Sequence, residues 1–166
     1  KNHAFLVEVA AAVARRRPQV RWLLVGDGPL RPGVEDHARR RGLGEIVRFL
    51  GLREDVAELL PIMDAFALPS WHEGLPVALL EAQAAGLRAL VSDRITREAA
   101  VVSDAVEFAP LEAGPAAWAD RLLELLDRPR LTAADAARQL AAAGRTLDSS
   151  LARLLDLYRR SLQGVT

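Results

Sequence analysis

The 166-residue sequence predicts an α/β fold in which a doubly wound parallel sheet lies between two layers of helices, a Rossmann-like three-layer sandwich. Two observations predict this fold. Short, almost continuously apolar segments alternate with single segments whose apolar residues recur at helical spacing. Strands of that composition are typical of parallel sheets covered on both faces, and right-handed crossovers between them give the doubly wound topology.

The first two helices and strands follow from local patterns. Residues 3–17 have apolar residues at helical spacing until Pro18 ends the segment. The apolar run 20–25 is predicted as a strand because turn residues stop it. A polar helix is predicted at about 31–41, and the next strand at 46–50, which ends at a glycine.

The middle of the chain continues the same alternation. Residues 56–63 present an apolar helical face behind an acidic pair, and 65–68 form an apolar strand. After a loop, Pro76 is expected at the first position of a helix that reaches about Ala85, with Gly86 as its cap.

Two further strands and three helices complete the prediction. The strands are 88–91 and 106–108. The helices are expected at about 115–127, 132–143 and 149–162.

Composition excludes several classes of protein. Apolar residues make up 51% of the chain, too many for a disordered protein. The 22 basic residues balance 22 acidic ones, which argues against nucleic-acid binding. There is no cysteine, and no apolar run approaches the ~18 residues of a membrane span. We therefore expect a soluble, cytoplasmic domain, and its first residue, Lys1 rather than Met, indicates a fragment of a longer protein.

Ligands of such sheets lie beyond the carboxyl ends of the strands, so the candidate loops are 26–29, 51–55, 69–75 and 92–96. The third is the most informative. Gly74 stands before a helix, where unpaired N–H groups and the helix dipole favour an anion such as a pyrophosphate.

Two carboxylates flank that helix start. Glu73 lies just outside the helix, and Glu81 lies about one and a half turns inside it, ~7–8 Å further along the axis. Glu81 could accept hydrogen bonds from ribose hydroxyls. The simpler alternative is that Glu73 stabilises the helix dipole and Glu81 is solvated. The apolar residues on either side of Glu81 weigh against that alternative.

Other motifs are weak or missing. The turn from Gly26 to Gly28 fits any tight turn and lacks the Gly-x-Gly-x-x-Gly pattern of dehydrogenases. The Gly-Lys-Ser/Thr phosphate loop of NTPases is missing from the sequence. Ser70 also lacks the Gly-x-Ser-x-Gly sequence that surrounds the nucleophilic serine of hydrolases. The histidines lack metal-ligand spacing, and His37 is interpreted as a solvated helix residue.

These residues resemble the C-terminal, donor-binding domain of a retaining glycosyltransferase of the GT-B fold, family 4. The likeness covers nearly the whole chain, so residues 1–166 are expected to form that one domain, half of a GT-B fold. Glu73 and Glu81 are similar to the family's Glu-seven-residues-Glu motif, and Lys1-Asn2-His3 is similar to its Lys-Asn-His opening. The glycine turns 25–29 and 49–51 match in order and spacing, and residues 91–98 resemble a bacterial branch that builds exopolysaccharide and capsule.

The resemblance implies a role for each matched residue. Lys1 would contact the donor diphosphate, and Gly74 with Leu75 would offer backbone N–H groups to the phosphate or sugar. Glu73, the candidate catalytic residue, would contact hydroxyls of the transferred sugar. Glu81 would hold the ribose.

Four more positions are implied at the donor site. Arg53 lies where the family's backbone meets the nucleobase, so its side chain need not matter. Gly26, Gly28 and Pro76 complete the set. The only lysine of the chain also falls on the family's lysine position.

The resemblance also implies the chemistry. A phosphate clamp would stabilise the charge on a departing nucleoside diphosphate. The donor would be a UDP- or GDP-linked sugar, transferred with retention to a glycan or lipid-linked acceptor, with no metal and no other cofactor. The full-length protein would be cytoplasmic or peripheral to the inner face of the plasma membrane.

The sequence departs from the family pattern at three points. The strand expected before Lys1, with its phosphate-contacting Arg, is outside the sequence, as is the N-terminal acceptor domain. Arg88 stands where the family usually has Pro. We therefore expect this chain alone not to transfer sugar.

Three other functions are considered. A non-catalytic nucleotide-sugar-binding module would keep the same clamp. A nucleotide-sugar epimerase shares the architecture, but the Glu73–Glu81 pattern favours the transferase. A signalling receiver domain needs a lysine after its fifth strand, and the chain has none beyond Lys1.

The last predicted helix has an apolar side formed by Leu154, Leu155 and Tyr158 within the segment Leu151–Leu162. We expect this side to pack on the acceptor domain. The isolated chain would then be a monomer or self-associate weakly.

Overall fold

The computed structural model describes residues 1–163. It is an α/β structure of parallel strands flanked by helices. The strands are β1 (Trp22–Val25), β2 (Val47–Gly51), β3 (Ala65–Leu68), β4 (Arg88–Ser92) and β5 (Val106–Ala109). The helices are α1 (His3–Ala14), α2 (Arg31–Arg40), α3 (Val56–Leu59), α4 (Val77–Ala84), α5 (Gly114–Asp127), α6 (Ala133–Ala142) and α7 (Leu147–Gln163).

All strand pairs are parallel, as predicted. The strands form two sheets, β1–β2 and β3–β4–β5, and within residues 1–163 β1 does not pair with β3. Trp22 of β1 lies opposite Val47, and Ala65 of β3 lies opposite Arg88. The α/β class with parallel strands is therefore confirmed, with the strands divided between two sheets.

Helix α1 holds these two sheets together. Its Val9 and Val13 pack in a buried cluster with Leu90 of β4 and Trp118 of α5. Its Val7 and Ala10 lie in a second buried cluster with residues of α2 and β2. A helix that is apolar around most of its circumference is buried between layers. This fixed position also determines where the residues at the start of α1 lie.

Several element boundaries differ from the predicted ones for local reasons. Helix α1 ends at Ala14, because Pro18 has no N–H to donate to the Ala14 carbonyl, and the N–H groups of Arg16 and Arg17 both donate to the Val13 carbonyl in the turn that follows. The predicted helix 56–63 is divided into α3 and the 3₁₀ segment Leu60–Ile62, where Pro61 has no N–H to donate. Short 3₁₀ segments at 97–99, 103–105 and 111–113 were not predicted.

Helix α7 exposes most of its apolar residues. Leu154, Leu155 and Tyr158 are 46–62% exposed, and Leu151 and Leu157 are exposed as well. The side chain of Leu162, the last residue of the segment in which that apolar side was predicted, lies outside the described residues. Over residues 1–163, no helix combines the length and apolar character needed to span a membrane.

Candidate functional site

The first residue of the chain meets the loop that follows β3. Lys1 lies just before α1, and Asn2 between them has a left-handed backbone conformation, with φ 59°. The Lys1 Nζ lies 2.7 Å from Oε1 of Glu73. The two residues are far apart in sequence, and the sequence resemblance placed both at one donor site. The structure brings them into direct contact.

A serine buried at the end of β3 also holds Glu73. The Oγ of Ser70 donates a hydrogen bond of 2.8 Å to the same Oε1. Partial burial acts to raise the pKa of Glu73, but the hydrogen bonds from Lys1 and Ser70 and the charge of Lys1 outweigh it. The pKa of Glu73 therefore lies below its ordinary value, and the side chain is an anion at neutral pH.

The start of α4 lies next to this carboxylate in the chain. Pro76 is extended, with ψ 100°, and its carbonyl accepts hydrogen bonds from Leu79 and Leu80. Pro76 therefore precedes the helix rather than occupying its first position. Among the residues that the structure describes, no side chain caps this end of α4, and a Cβ built on Gly74 would meet no atom within 4 Å. The N–H groups of this helix end can therefore bind an anion.

Glu81 lies on the exposed face of α4. Val77 and Ala78, one turn earlier on the same face, are also exposed. Within residues 1–163, Glu81 makes no ion pair and its side chain makes no hydrogen bond to the protein. Its carboxylate is available to a ligand, and this arrangement is also that of a solvated helix residue.

The glycine turns after β1 and β2 are joined to each other. The N–H of Gly26 donates to the carbonyl of Gly51 at 2.7 Å. Gly26 has φ 115°, which strongly favours glycine. The Gly28 N–H donates to the Asp27 carboxylate at 2.7 Å, and a Cβ on Gly28 would meet open space. The space beside Gly28, after β1, is therefore open, whereas a Cβ on Gly51 would lie 3.2 Å from Nη1 of Arg31.

The side chain of Arg53 is engaged at the start of α3. Its Nε donates to Asp55 at 2.7 Å, and this hydrogen bond lowers the pKa of Asp55. Within the described part of the chain, Arg53 makes no ion pair with Glu73 or Glu81. The expectation that the Arg53 side chain need not matter stays a prediction.

Sequence reasoning missed two residues that support the site. Ser70 was considered only as a nucleophile, and its hydrogen bond to Glu73 was not anticipated. Gln83, fully buried on α4, bonds the carbonyl of Ala99 and the N–H of Val102. The signal for Gln83 was a single amide in an apolar helix.

One interpretation from the sequence is wrong. His37 is not simply solvated, because its side chain is about a quarter exposed and its Nε2 lies 2.7 Å from Oε1 of Glu8. Arg41 contacts the other oxygen of the same carboxylate at 2.6 Å. The three residues connect α1 with the end of α2.

Comparison with known proteins identifies the family. The sequence profile of the family described as "Glycosyl transferases group 1" matches residues 1–128. The putative glycosyltransferase EpsF of Bacillus subtilis (strain 168) is 36% identical over 163 residues, which cover 98% of this chain and 42% of EpsF.

Two more comparisons agree. The Escherichia coli UDP-Gal:alpha-D-GlcNAc-diphosphoundecaprenol alpha-1,3-galactosyltransferase is 34% identical over 96 residues, which cover 56% of this chain and 25% of that enzyme. A TarM variant from S. aureus, solved in complex with UDP, superimposes with a TM-score of 0.83 at 17% identity, covering 95% of this chain and 33% of TarM. The chain spans less than half the length of these relatives. It belongs to the group 1 glycosyl transferases and has the fold of the C-terminal domain of a GT-B enzyme of the family 4 type.

Proposed function

We propose that residues 1–166 form the donor-binding domain of a retaining glycosyltransferase, whose acceptor-binding domain is supplied by the rest of a longer protein. One observation carries the proposal. The ion pair of Lys1 and Glu73 lies beside the uncapped start of α4, so a cation, a carboxylate and free N–H groups meet at one place. A nucleotide sugar needs these three groups, for its diphosphate and its hydroxyls.

Lys1 and the N–H groups at the start of α4 would form a clamp on the leaving group, the nucleoside diphosphate. An ammonium group has three N–H donors, and only one is needed for the 2.7 Å contact between Lys1 and Glu73. The others can bind the diphosphate together with the N–H groups at the start of α4. Preorganised donors of this kind stabilise charge that develops on a departing nucleoside diphosphate. The proposed clamp uses no metal ion.

The relatives support UDP as the nucleotide. The name of the E. coli relative specifies UDP-Gal, and the TarM structure contains UDP. The same E. coli name specifies a diphosphoundecaprenol acceptor, which supports a lipid-linked or glycan acceptor for the longer protein. A role in exopolysaccharide or capsule synthesis fits this acceptor class.

The divided sheet is compatible with this domain assignment. The resemblance implies a strand directly before Lys1. Because such a strand would connect through α1 to β1 by a right-handed crossover, it would lie parallel to β1 on its free edge, between β1 and β3. There it would pair with the free backbone edge of β1, the strand on which Leu23 and Val25 are exposed.

Glu81→Ala tests the proposal directly. If Glu81 holds the ribose through charge-assisted hydrogen bonds, its loss should weaken binding of UDP by about tenfold to a hundredfold. Isothermal titration calorimetry, or ligand-observed NMR where affinity is low, measures this change.

Glu124→Ala is the matched control, because Glu124 is an exposed glutamate inside α5. It should leave the affinity for UDP unchanged. Equal affinities of Glu81→Ala and the unsubstituted chain for UDP would show that Glu81 is a solvated helix residue and does not bind the ribose. A chain that binds none of UDP, GDP or their sugar conjugates would contradict the donor-domain proposal for this chain.

A further inference from the structure

We infer that Ser70 is a positioning residue, which fixes one oxygen of the Glu73 carboxylate so that the other oxygen can accept a hydrogen bond from a hydroxyl of the donor sugar. This inference rests on the proposed donor-binding function. It assigns a role to Ser70, which was compared above only with the nucleophilic serine of hydrolases.

The two oxygens of Glu73 have different surroundings. Oε1 receives the hydrogen bond from Ser70 at 2.8 Å and the ammonium group of Lys1 at 2.7 Å. Within residues 1–163, Oε2 accepts no hydrogen bond and takes part in no ion pair. One oxygen is therefore held by the protein, and the other keeps its capacity to accept.

Ser70 acts only through Glu73. Its side chain is fully buried, so a ligand cannot reach its hydroxyl. It follows β3 directly after Pro69, which is also fully buried. The Ser70 hydroxyl therefore has a fixed position at the end of a strand. Its hydrogen bond fixes the orientation of the Glu73 carboxylate, which lies on a loop.

The bond from Ser70 becomes more important when the donor binds. The side chain of Lys1 is 53% exposed, and its ammonium group would be shared with the diphosphate. The Ser70 hydroxyl has no such competitor. Without it, Glu73 would keep its charge but lose its fixed orientation, and a misplaced group binds its target less well.

The test compares the sugar with the nucleotide in the 166-residue chain. We expect Ser70→Ala to leave the affinity for UDP within about twofold of the unsubstituted chain and to weaken UDP-glucose, UDP-galactose or UDP-N-acetylglucosamine, whichever binds best, by about tenfold. Ser70→Thr keeps the hydroxyl and should restore most of that loss. Ser149→Ala removes a hydroxyl that is hydrogen-bonded to the backbone of Thr146 at the start of α7, and it should change neither affinity.

A second readout needs no donor. Titration of the Glu73 side-chain carboxyl by ¹³C NMR should show a higher pKa in Ser70→Ala than in the unsubstituted chain, because the variant lacks a hydrogen bond to the ionised form. A purely structural role for Ser70 would lower the melting temperature and leave both the pKa of Glu73 and the ratio of sugar to nucleotide affinity unchanged. That result would overturn the inference. If the pKa shifts as expected but the unsubstituted chain binds no nucleotide, the Ser70–Glu73 contact is supported and the donor-binding function is not.

Discussion

Gly86→Ala is expected to destabilise the chain by about 2–5 kcal/mol, because the substitution combines backbone strain with a steric clash. Gly86 follows α4 with φ 74°. In that position its N–H bonds the carbonyl of Gln83, and the N–H of Leu87 bonds the carbonyl of Ala82. A Cβ at Gly86 would lie 2.4 Å from the carbonyl oxygen of Leu131, a backbone atom in the connection between α5 and α6.

Gly42→Ala separates the two contributions. Gly42 follows α2 with φ 72° and the same pair of capping hydrogen bonds, but a Cβ there would meet nothing within 4 Å. Its substitution should cost about 1 kcal/mol, which is the backbone strain alone. Thermal unfolding followed by circular dichroism measures both variants. Each kcal/mol corresponds to roughly 2–4 °C for a chain of this size. Equal losses of stability for the two variants would show that the backbone at Leu131 moves away from the added Cβ without a loss of free energy.

Gly86 also shows what the sequence predicts well. A glycine after an apolar helical segment is a local signal, and the predicted cap is confirmed by its positive φ. The strands are predictable for the same reason, since each is an apolar run bounded by turn residues. The prediction for β3, residues 65–68, matches the structure at both ends.

The features that sequence could not predict depend on distant parts of the chain. The contact of Lys1 with Glu73 requires α1 to pack across the sheets and bring its first turn to the loop after β3. No local pattern contains that geometry. The family resemblance named both residues, but it did not predict their ion pair or the hydrogen bond from Ser70.

Which polar residues of α4 are exposed could not be predicted from the sequence either. Residues two positions apart in an α-helix are rotated by about 200° around its axis, so Glu81 and Gln83 point to different sides of the helix. Packing decides which side is buried, and it buries Gln83 while Glu81 stays exposed. The apolar helix α4 therefore contains two polar residues, and either of them could have been the buried one. From the sequence, only Glu81 is predicted to have a role at the site.

Gln83→Met is expected to destabilise the chain by about 2–5 kcal/mol, because it leaves two buried backbone groups without partners at about 1–3 kcal/mol each. The Gln83 amide donates to the carbonyl of Ala99 at 2.7 Å and accepts from the N–H of Val102 at 2.8 Å. Methionine has a similar shape, so the variant removes these bonds without a large cavity. The bonds connect α4, which carries Glu81, with the chain segment after β4.

Chemical denaturation monitored by tryptophan fluorescence measures the loss. Gln139→Met is the control, since Gln139 lies on α6, is partly exposed, and its side chain makes no hydrogen bond within residues 1–163. It should change the free energy of unfolding by about 0.5 kcal/mol or less. A loss for Gln83→Met no larger than that of the control would show that water replaces the amide.

Gln83→Glu gives the same contacts a pH dependence. An ionised carboxylate can still accept from Val102, but it faces the carbonyl of Ala99 without a proton to donate. Burial and this repulsion raise its pKa above the unfolded value of about 4.3. The folded state therefore binds the proton more tightly than the unfolded state. Its stability is highest below the unfolded pKa and falls as pH rises through the folded pKa. We expect Gln83→Glu to approach the stability of the unsubstituted chain at acidic pH and to lose it towards neutrality, whereas the difference between Gln83→Met and the unsubstituted chain stays constant. A pH-independent difference for Gln83→Glu would mean that its side chain has left the buried site for solvent.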